Sequence, residues 1–268
     1  MRWQSRRKQG RMAKHRGLEF DDSRVPRVAA MNPVAIFRFS PSEGPAFFAD
    51  WLDGQHVPYE LIAIDQGARV PDDPRRYSGI GMMGGPMGAN DDLPWIEPLC
   101  RLLRDAVDAR VPVVGHCLGG QLFSRALGGS VTRSPVPEIG WIDVEAEDEA
   151  ARTWFGGRAR FTTFEWHYDS FTIPPGAQRL LRGALVQNQA YIVDDRHVGF
   201  QCHVEMTTEL VRAWCDIARN ELPETSTPNL QSVRDIERAL TANVSALQDV
   251  ARSFYARWGR ALVGAPAW

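Results

Sequence analysis

The segment from Val111 to Leu122 constrains the fold more than any other part of the 268-residue chain. A short apolar run ends at Gly115, Cys117 comes two residues later, and two glycines and a helix-like stretch follow. This order predicts a strand, a sharp turn and a helix, with the cysteine in the turn, as in the thiol version of a nucleophile elbow. Because such a turn lies at a helix N-terminus, the helix dipole favours the thiolate form of Cys117. A buried structural cysteine in an ordinary strand–helix turn is the alternative interpretation.

Strand-like and helix-like segments alternate from Pro33 to the elbow, which predicts parallel strands covered by helices on both faces. Beyond Gly129, short strands with turns between them predict a more antiparallel second half. Thr227 is the expected N-cap of a long amphipathic helix with Gly259 as its C-cap. Its apolar stripe would pack on its own domain or, alternatively, form a partner or dimer surface. The predicted fold is therefore an α/β, three-layer, mostly parallel sheet flanked by helices, with a C-terminal helical extension.

The charge distribution divides the chain into three expected parts. Residues 1–30 hold nine basic and three acidic residues, although the whole chain has a net charge of -2. We interpret this stretch as a disordered basic leader, with Met31 as a plausible start and a nucleic-acid-binding arm as the alternative. Residues 31–221 would form the α/β domain, and residues 222–268 a polar linker and the long helix.

Composition excludes several function classes. The overall charge gives no reason to expect a nucleic-acid or membrane partner, and no apolar run approaches the ~20 residues of a membrane span. The four cysteines have no paired spacing, so we expect no metal site, no disulfide framework and no cofactor. A free reactive thiol fits a reducing, cytoplasmic location.

A nucleophilic thiol requires a base, and His203 is the best-placed histidine. It follows a strand-like run and precedes Glu205 by two residues. If the segment stays extended, both side chains project to one face, and the carboxylate can fix the tautomer of the imidazole. Taken alone, a solvated His–Glu pair at a strand end is the alternative.

Three stretches resemble motifs of the class I glutamine amidotransferases, and they occur in the family's order over about residues 33–215. In chain order they are Gly-Gly-Pro from Gly84, Gly-His-Cys-Leu-Gly-Gly-Gln around Cys117, and Phe-Gln-Cys-His-Val-Glu ending at Glu205. Two further stretches, which begin at Glu138 and Glu165, are closest to the branch similar to the GMP synthase glutaminase domain. The resemblance implies a flavodoxin-like, amidotransferase-type fold for residues 31–221.

The resemblance also implies roles for individual residues. Cys117 would attack the side-chain amide of glutamine, His203 would transfer the proton, and Glu205 would orient His203. The oxyanion would be held by the N–H groups of Leu118 and of the Gly84–Gly85 loop, for which a plain strand-end turn is the alternative. Gln121 falls on a family position that lines the glutamine pocket, with a polar helix residue that caps the loop as the alternative. The resemblance further implies that the backbone around Glu138 binds the α-amino and α-carboxylate groups of the substrate, and that His167 lines the pocket mouth or has a structural hydrogen-bonding role.

The chain departs from the family pattern at three positions. Val204 replaces a proline between the histidine and the glutamate, Gly120 stands where many members carry histidine, and His116 precedes the cysteine where a smaller or apolar residue is commoner. His116 would perturb Cys117 or fill space under the elbow.

Three functional hypotheses remain open. The chain is a glutaminase whose ammonia passes to a separate synthetase partner, a stand-alone hydrolase of γ-glutamyl peptides or amides, or a catalytically silent binding module. An α/β-hydrolase with a thiol is disfavoured because its acid precedes its histidine in the chain. A homo-oligomer is compatible with each of the three.

Overall fold

The computed structural model describes residues 31–264, and the predicted basic leader lies outside them. One nine-stranded sheet forms the centre of the molecule, in the order β2-β1-β3-β4-β9-β8-β7-β5-β6. Its strands are β1 (Val34–Arg38), β2 (Tyr59–Ala63), β3 (Gly79–Met82), β4 (Val113–His116), β5 (Val131–Ala146), β6 (Arg160–Phe171), β7 (Gln178–Gly183), β8 (Ala190–Val193) and β9 (His197–Phe200).

The sheet has a parallel half and an antiparallel half, as the change of sequence pattern after Gly129 predicts. β2, β1, β3, β4 and β9 are joined by parallel pairings. β9, β8, β7, β5 and β6 are joined by antiparallel pairings. Asp194 and Asp195, both with positive φ, form the predicted turn between β8 and β9. β9 belongs to both halves and therefore connects them.

Helices cover both faces of the sheet and give the predicted three layers. They are α1 (Ala46–Gly54), α2 (Ile96–Asp108), α3 (Leu118–Ala126), the single turn α4 (Glu149–Arg152), α5 (Thr208–Ile217) and α6 (Val233–Gly259). One hydrophobic core contains buried residues of α1, α5 and α6, and a second core contains those of α2 and α3. The elbow between β4 and α3 lies where these layers meet.

The long C-terminal helix begins five residues later than the sequence predicts. Thr227 does not cap it, because the following residues lie along β5 instead, where Ile139 exchanges backbone hydrogen bonds with Asn229 and Gln231. The helix starts only after this stretch, with Ser232 as its N-cap. At the other end Gly259 is the last helical residue, and Arg260 rather than Gly259 is the C-cap.

The apolar stripe of α6 is buried against its own domain. Phe254, Tyr255 and Trp258 are all fully inaccessible to solvent. This confirms the first of the two interpretations of the stripe. Among the described residues, no helix combines the length and the apolarity needed to cross a membrane.

Candidate active site

Cys117 lies at the junction between β4 and α3, as the elbow pattern predicts. Its backbone has φ 49° and ψ −108°, a conformation that L-residues rarely adopt and that surrounding packing must hold in place. A Cβ atom on Gly115 would lie 2.5 Å from the carbonyl carbon of Gly119, so the strand and the helix approach too closely for any side chain there. The sharp turn therefore depends on the glycines around the cysteine.

His203 and Glu205 come together although the segment that carries them is not a strand. β9 ends at Phe200, and His203 continues only as an isolated bridge to Phe164, to whose carbonyl oxygen it donates its backbone N–H at 2.8 Å. The Nδ1 atom of His203 lies 2.7 Å from Oε1 of Glu205. Because a carboxylate only accepts, Nδ1 carries the proton, and Nε2 is left as the atom that can accept one.

The electrostatics of the pair favour an ionised histidine. Burial opposes the positive charge of His203, but the Glu205 carboxylate and the Cys117 thiol outweigh it, and the pKa of His203 lies well above its ordinary value. Burial likewise works against ionised Glu205, but a positive charge on a neighbouring imidazole, that of His116 or His203, lowers the pKa of Glu205, which lies below its ordinary value. The pair therefore favours the protonated, positively charged form of His203 beside the buried Glu205 carboxylate.

The Gly84–Gly85 loop packs against both the elbow and the histidine. A Cβ atom on Gly85 would lie 2.8 Å from Cδ2 of Leu118, and one on Gly84 would lie 3.1 Å from Cε1 of His203. Leu118 occupies the first position of α3, whose N–H has no acceptor within the helix. The three residues predicted to donate to an oxyanion therefore lie together around Cys117.

A cavity of about 360 Å³ opens onto these residues. Pockets for small molecules are typically about 300–1,000 Å³, so this one has room for an amino-acid-sized ligand. Ionisable and hydrogen-bonding side chains form part of its wall, among them Cys117, His203, Glu43, Gln121, Arg133 and His167.

Comparison with known proteins assigns the family. The profile of the family described as "Glutamine amidotransferase class-I" matches residues 55–212, more than half of the chain. This chain belongs to the class-I glutamine amidotransferase family. The amidotransferase-like protein YfeJ of Salmonella typhimurium is 26% identical over 191 residues, which cover 68% of this chain and 79% of YfeJ. Gamma-glutamyl peptidase 4 of Arabidopsis thaliana is 28% identical over 145 residues, 52% of this chain and 58% of the peptidase.

Solved amidotransferase structures support the same assignment. A glutamine amidotransferase from Methylobacillus flagellatus is 47% identical, with a TM-score of 0.84 over 87% of this chain and 96% of that one. A second from Thermotoga maritima, 24% identical with a TM-score of 0.76 over 84% of this chain and 97% of that one, shows the shared fold. The α/β fold predicted from the sequence is thereby confirmed.

Of the predicted substrate-binding residues, Gln121 and His167 line the cavity of this amidotransferase. Gln121 also donates from Nε2 to the carbonyl oxygen of Asp169 at 3.1 Å and to Oε1 of Gln201 at 3.2 Å. Gln201 in turn places its Nε2 3.7 Å from the Cys117 sulfur. Gln121 therefore lines the cavity and also makes structural contacts to β6 and to Gln201, and its role in substrate binding stays a prediction.

Glu138 is not part of the cavity wall. Its side chain is fully buried, and Oε2 lies 3.1 Å from Nε2 of His167 and accepts from Nε2 of Gln189 at 2.7 Å. His167 completes its hydrogen bonds at Nδ1 with the carbonyl oxygen of Asp169, 3.0 Å away. The Glu138 side chain therefore fixes the imidazole of His167, and substrate binding by the backbone at Glu138 stays a prediction.

Glu138, Glu165 and His167 also have the spacing of a possible metal site, since one ligand atom from each lies within 4.8 Å of the others. Burial and the charge of Glu138 raise the pKa of Glu165 well above its ordinary value. The raised pKa favours the protonated form of Glu165, in which the repulsion between two buried carboxyl groups is relieved. This cluster lies behind His167 and supports the cavity wall.

Two cavity residues were not singled out from the sequence. Glu43, in the loop before α1, lies beside Gly84, where a Cβ atom would be 2.8 Å from its Oε2. Burial raises the pKa of Glu43 to about 7, with His203 lowering it and Glu205 raising it. Arg133 stacks on the ring of Tyr168 at the mouth, 4.9 Å from its centroid. Glu43 lies in a loop and Arg133 near the start of β5, and because neither belongs to a motif, no signal in the sequence marks them.

Proposed function

We propose that this chain hydrolyses the side-chain amide of glutamine through a triad of Cys117, His203 and Glu205. The observation that carries the proposal is the buried His203–Glu205 pair, with 2.7 Å between Nδ1 and Oε1, whose histidine lines the same cavity as the elbow cysteine. A nucleophile, a base and an orienting acid are the three parts that acyl transfer through a thiol requires.

The reaction follows from these positions. His203 takes the thiol proton at Nε2, and the Cys117 sulfur attacks the amide carbon to form a tetrahedral oxyanion. The N–H of Leu118 and an N–H of the Gly84–Gly85 loop donate to that oxygen. Collapse breaks the carbon–nitrogen bond, His203 returns its proton to the leaving nitrogen, and ammonia departs. Water, activated by His203, then hydrolyses the thioester, releasing glutamate and restoring the thiol.

Opposite charges at the cavity support a γ-glutamyl substrate. The Arg133 guanidinium is suited to the α-carboxylate, and Asp169, whose Oδ1 lies 3.7 Å from Nη1 of Arg133, is suited to the α-ammonium group. In the intact amidotransferase reaction the ammonia would pass to a separate synthetase partner. The cytoplasm, where the four free cysteines would stay reduced, is the expected location.

Hydrolysis of γ-glutamyl peptides is the second candidate function. It uses the same triad with an amine in place of ammonia as leaving group, and the similarity to gamma-glutamyl peptidase 4 of Arabidopsis thaliana favours it. The two candidates share the nucleophile and differ in the leaving group alone.

The decisive experiment replaces the nucleophile. Cys117→Ala should abolish both glutamine hydrolysis and covalent labelling by a glutamine-like electrophile, because no thioester can form. Cys100→Ala, at a buried thiol in α2, is the matched control and should keep both. Labelling of the Cys117→Ala protein would refute the assignment.

A substrate screen then separates the two candidates. The isolated chain is incubated with glutamine and with γ-glutamyl dipeptides, and free glutamate is measured. Robust dipeptide cleavage favours the peptidase. Glutamine turnover that needs a co-purifying synthetase favours the amidotransferase. No turnover of either substrate by a protein whose Cys117 is unreactive would overturn both.

A further inference from the structure

The C-terminal helix reaches a buried histidine directly beneath the elbow. The Oη atom of Tyr255, on α6, lies 3.0 Å from Nε2 of His116, the residue before the predicted nucleophile. The same Nε2 atom lies 3.8 Å from Oε2 of Glu205. Tyr255 and His116 are both fully buried. A residue of α6, which lies outside residues 55–212 matched by the family profile, is thus two contacts away from the proposed triad.

The hydrogen bonds fix the protonation of His116. Its Nδ1 lies 3.2 Å from the carbonyl oxygen of Met82, which only accepts, so Nδ1 carries the hydrogen. In a neutral ring Nε2 is then an acceptor, and it takes the hydroxyl hydrogen of Tyr255. Burial lowers the pKa of His116, although Glu205 opposes this, and the ring is therefore neutral at neutral pH.

Glu205 consequently has one ionic partner. Its Oε1 accepts from His203, and its Oε2 has no hydrogen-bond donor among the described residues. A neutral His116 leaves the negative charge of Glu205 available to the imidazolium of His203. A protonated His116 would compete for it, since its Nε2–H would face Oε2 at 3.8 Å.

We propose that Tyr255 and His116 are positioning residues that keep the space beneath Glu205 uncharged, and so direct its negative charge to His203. The inference rests on the proposed function of the triad. The Tyr255 hydroxyl stabilises the neutral form of His116 by donating to Nε2. Without that hydroxyl, the Nε2 lone pair of His116 has no donor and lies buried beside the Glu205 carboxylate. Protonation of His116 from solvent then becomes easier.

The surroundings of His116 contain few other charges. The rings of Phe48 from α1 and Phe200 from β9 pack on it. The titratable groups that face His116 or its partners, from the described elements packed around it, are Glu205, His203, Tyr255, Cys202, Cys117, Glu43 and Glu165. Of these, Glu205 is the group that a charge on His116 would affect most directly.

The test is the pH profile of Tyr255→Phe. Its acid limb, measured as kcat/KM for the substrate found active, should move to higher pH by about half a unit to one unit, the range expected from losing one buried hydrogen bond. At alkaline pH, where His116 is neutral in both proteins, activity should stay within about threefold of the parent. The pH dependence of Cys117 alkylation by iodoacetamide should shift in the same direction, and Cys117→Ala supplies the blank. This second readout needs no substrate, so it tests the inference even if the proposed reaction is wrong.

Two further variants separate positioning from packing. Ser124→Ala removes a buried hydroxyl that donates to the carbonyl oxygen of Thr172 at 2.7 Å, and it should lower stability without moving either profile. His116→Asn can keep a donor near Met82 but lacks the Nε2 end, so adding Tyr255→Phe to it should cause no further shift. An unchanged acid limb and alkylation profile in Tyr255→Phe would overturn the proposal, as would a full additional shift in the double variant.

Discussion

Replacement of Gly120 by alanine should damage both the stability and the activity of this amidotransferase. A Cβ atom at Gly120 would lie 2.2 Å from the carbonyl oxygen of Phe200 and 3.0 Å from its carbonyl carbon and nitrogen. These are backbone atoms of β9, which cannot rotate away as a side chain can. Restoring ordinary contact requires α3 and β9 to separate by about 1 Å, and overpacking of this kind typically costs about 1–3 kcal/mol. The gain in helix propensity from glycine to alanine, about 1 kcal/mol, offsets only part of it.

The separation of α3 from β9 should also slow the proposed attack by Cys117. Gly120 comes three residues after Cys117, and Phe200 comes three residues before His203. Their separation therefore moves the nucleophile away from its base, and a misplacement of about 1 Å can cost about 10²-fold in rate. We expect the free energy of unfolding to fall by up to about 2 kcal/mol and kcat/KM to fall by at least tenfold.

Urea denaturation and steady-state kinetics provide the measurement. Gly54→Ala is the control, because Gly54 is also a helical residue, the last one of α1. A Cβ atom there would meet no atom within 4 Å. That variant should be as stable as the parent or slightly more so. If Gly120→Ala matched Gly54→Ala in both stability and kinetics, the steric reasoning would be wrong. The same contact leaves no room for a larger side chain at position 120 of this chain.

Two carboxyl groups provide further predictions from their raised pKa values. Glu43→Gln should remove an ionisation with a pKa near 7 from the kcat/KM profile, because Glu43 ionises there beside His203; an identical profile would exclude Glu43 as a titrating neighbour of the site. Glu165→Gln should stabilise the protein more at pH 8 than at pH 5, as measured by thermal unfolding. The folded-state pKa of Glu165 lies above its unfolded value, so the parent loses stability as pH rises above about 4.5, whereas the amide does not. Equal melting shifts at the two pH values would contradict a protonated Glu165.

The order of elements could be predicted because each one has a local signal. The first four strands are short apolar runs that precede turns or helices, and the structure has a strand at each of these runs. β5 is different, since its strand-like sequence pattern covers Glu138–Val144 but the strand begins at Val131. Two prolines, Pro135 and Pro137, mask its first half, and they are accommodated where the register with β6 shifts between Arg133 and Glu138.

The start of α6 could not be predicted for a related reason. The sequence from Thr227 satisfies every local rule for a helix N-terminus, with a threonine followed by proline. A tertiary contact overrides them, because the backbone of residues 229–231 pairs with Ile139. Contacts between residues far apart in sequence have no local pattern, and for that reason the Tyr255–His116 contact could not be predicted from the sequence either.

The meeting of Cys117 and His203 is set by the register of two parallel strands. β4 pairs with β9 so that Gly115 lies opposite Gly199 and His116 opposite Phe200. Both strands run in the same direction, so the residues that follow them leave the sheet at the same edge, and 86 positions of sequence separation become one site. A slip of one residue would turn every β9 side chain to the other face of the sheet and change how the following segment leaves it. Glycines at these positions favour the observed register because the neighbouring groups leave no room for a side chain. Gly115 lies against the backbone of α3, and a Cβ atom on Gly199 would lie 2.4 Å from the ring of Tyr191. The motifs identify the reacting groups, but the register of β4 against β9 brings them together.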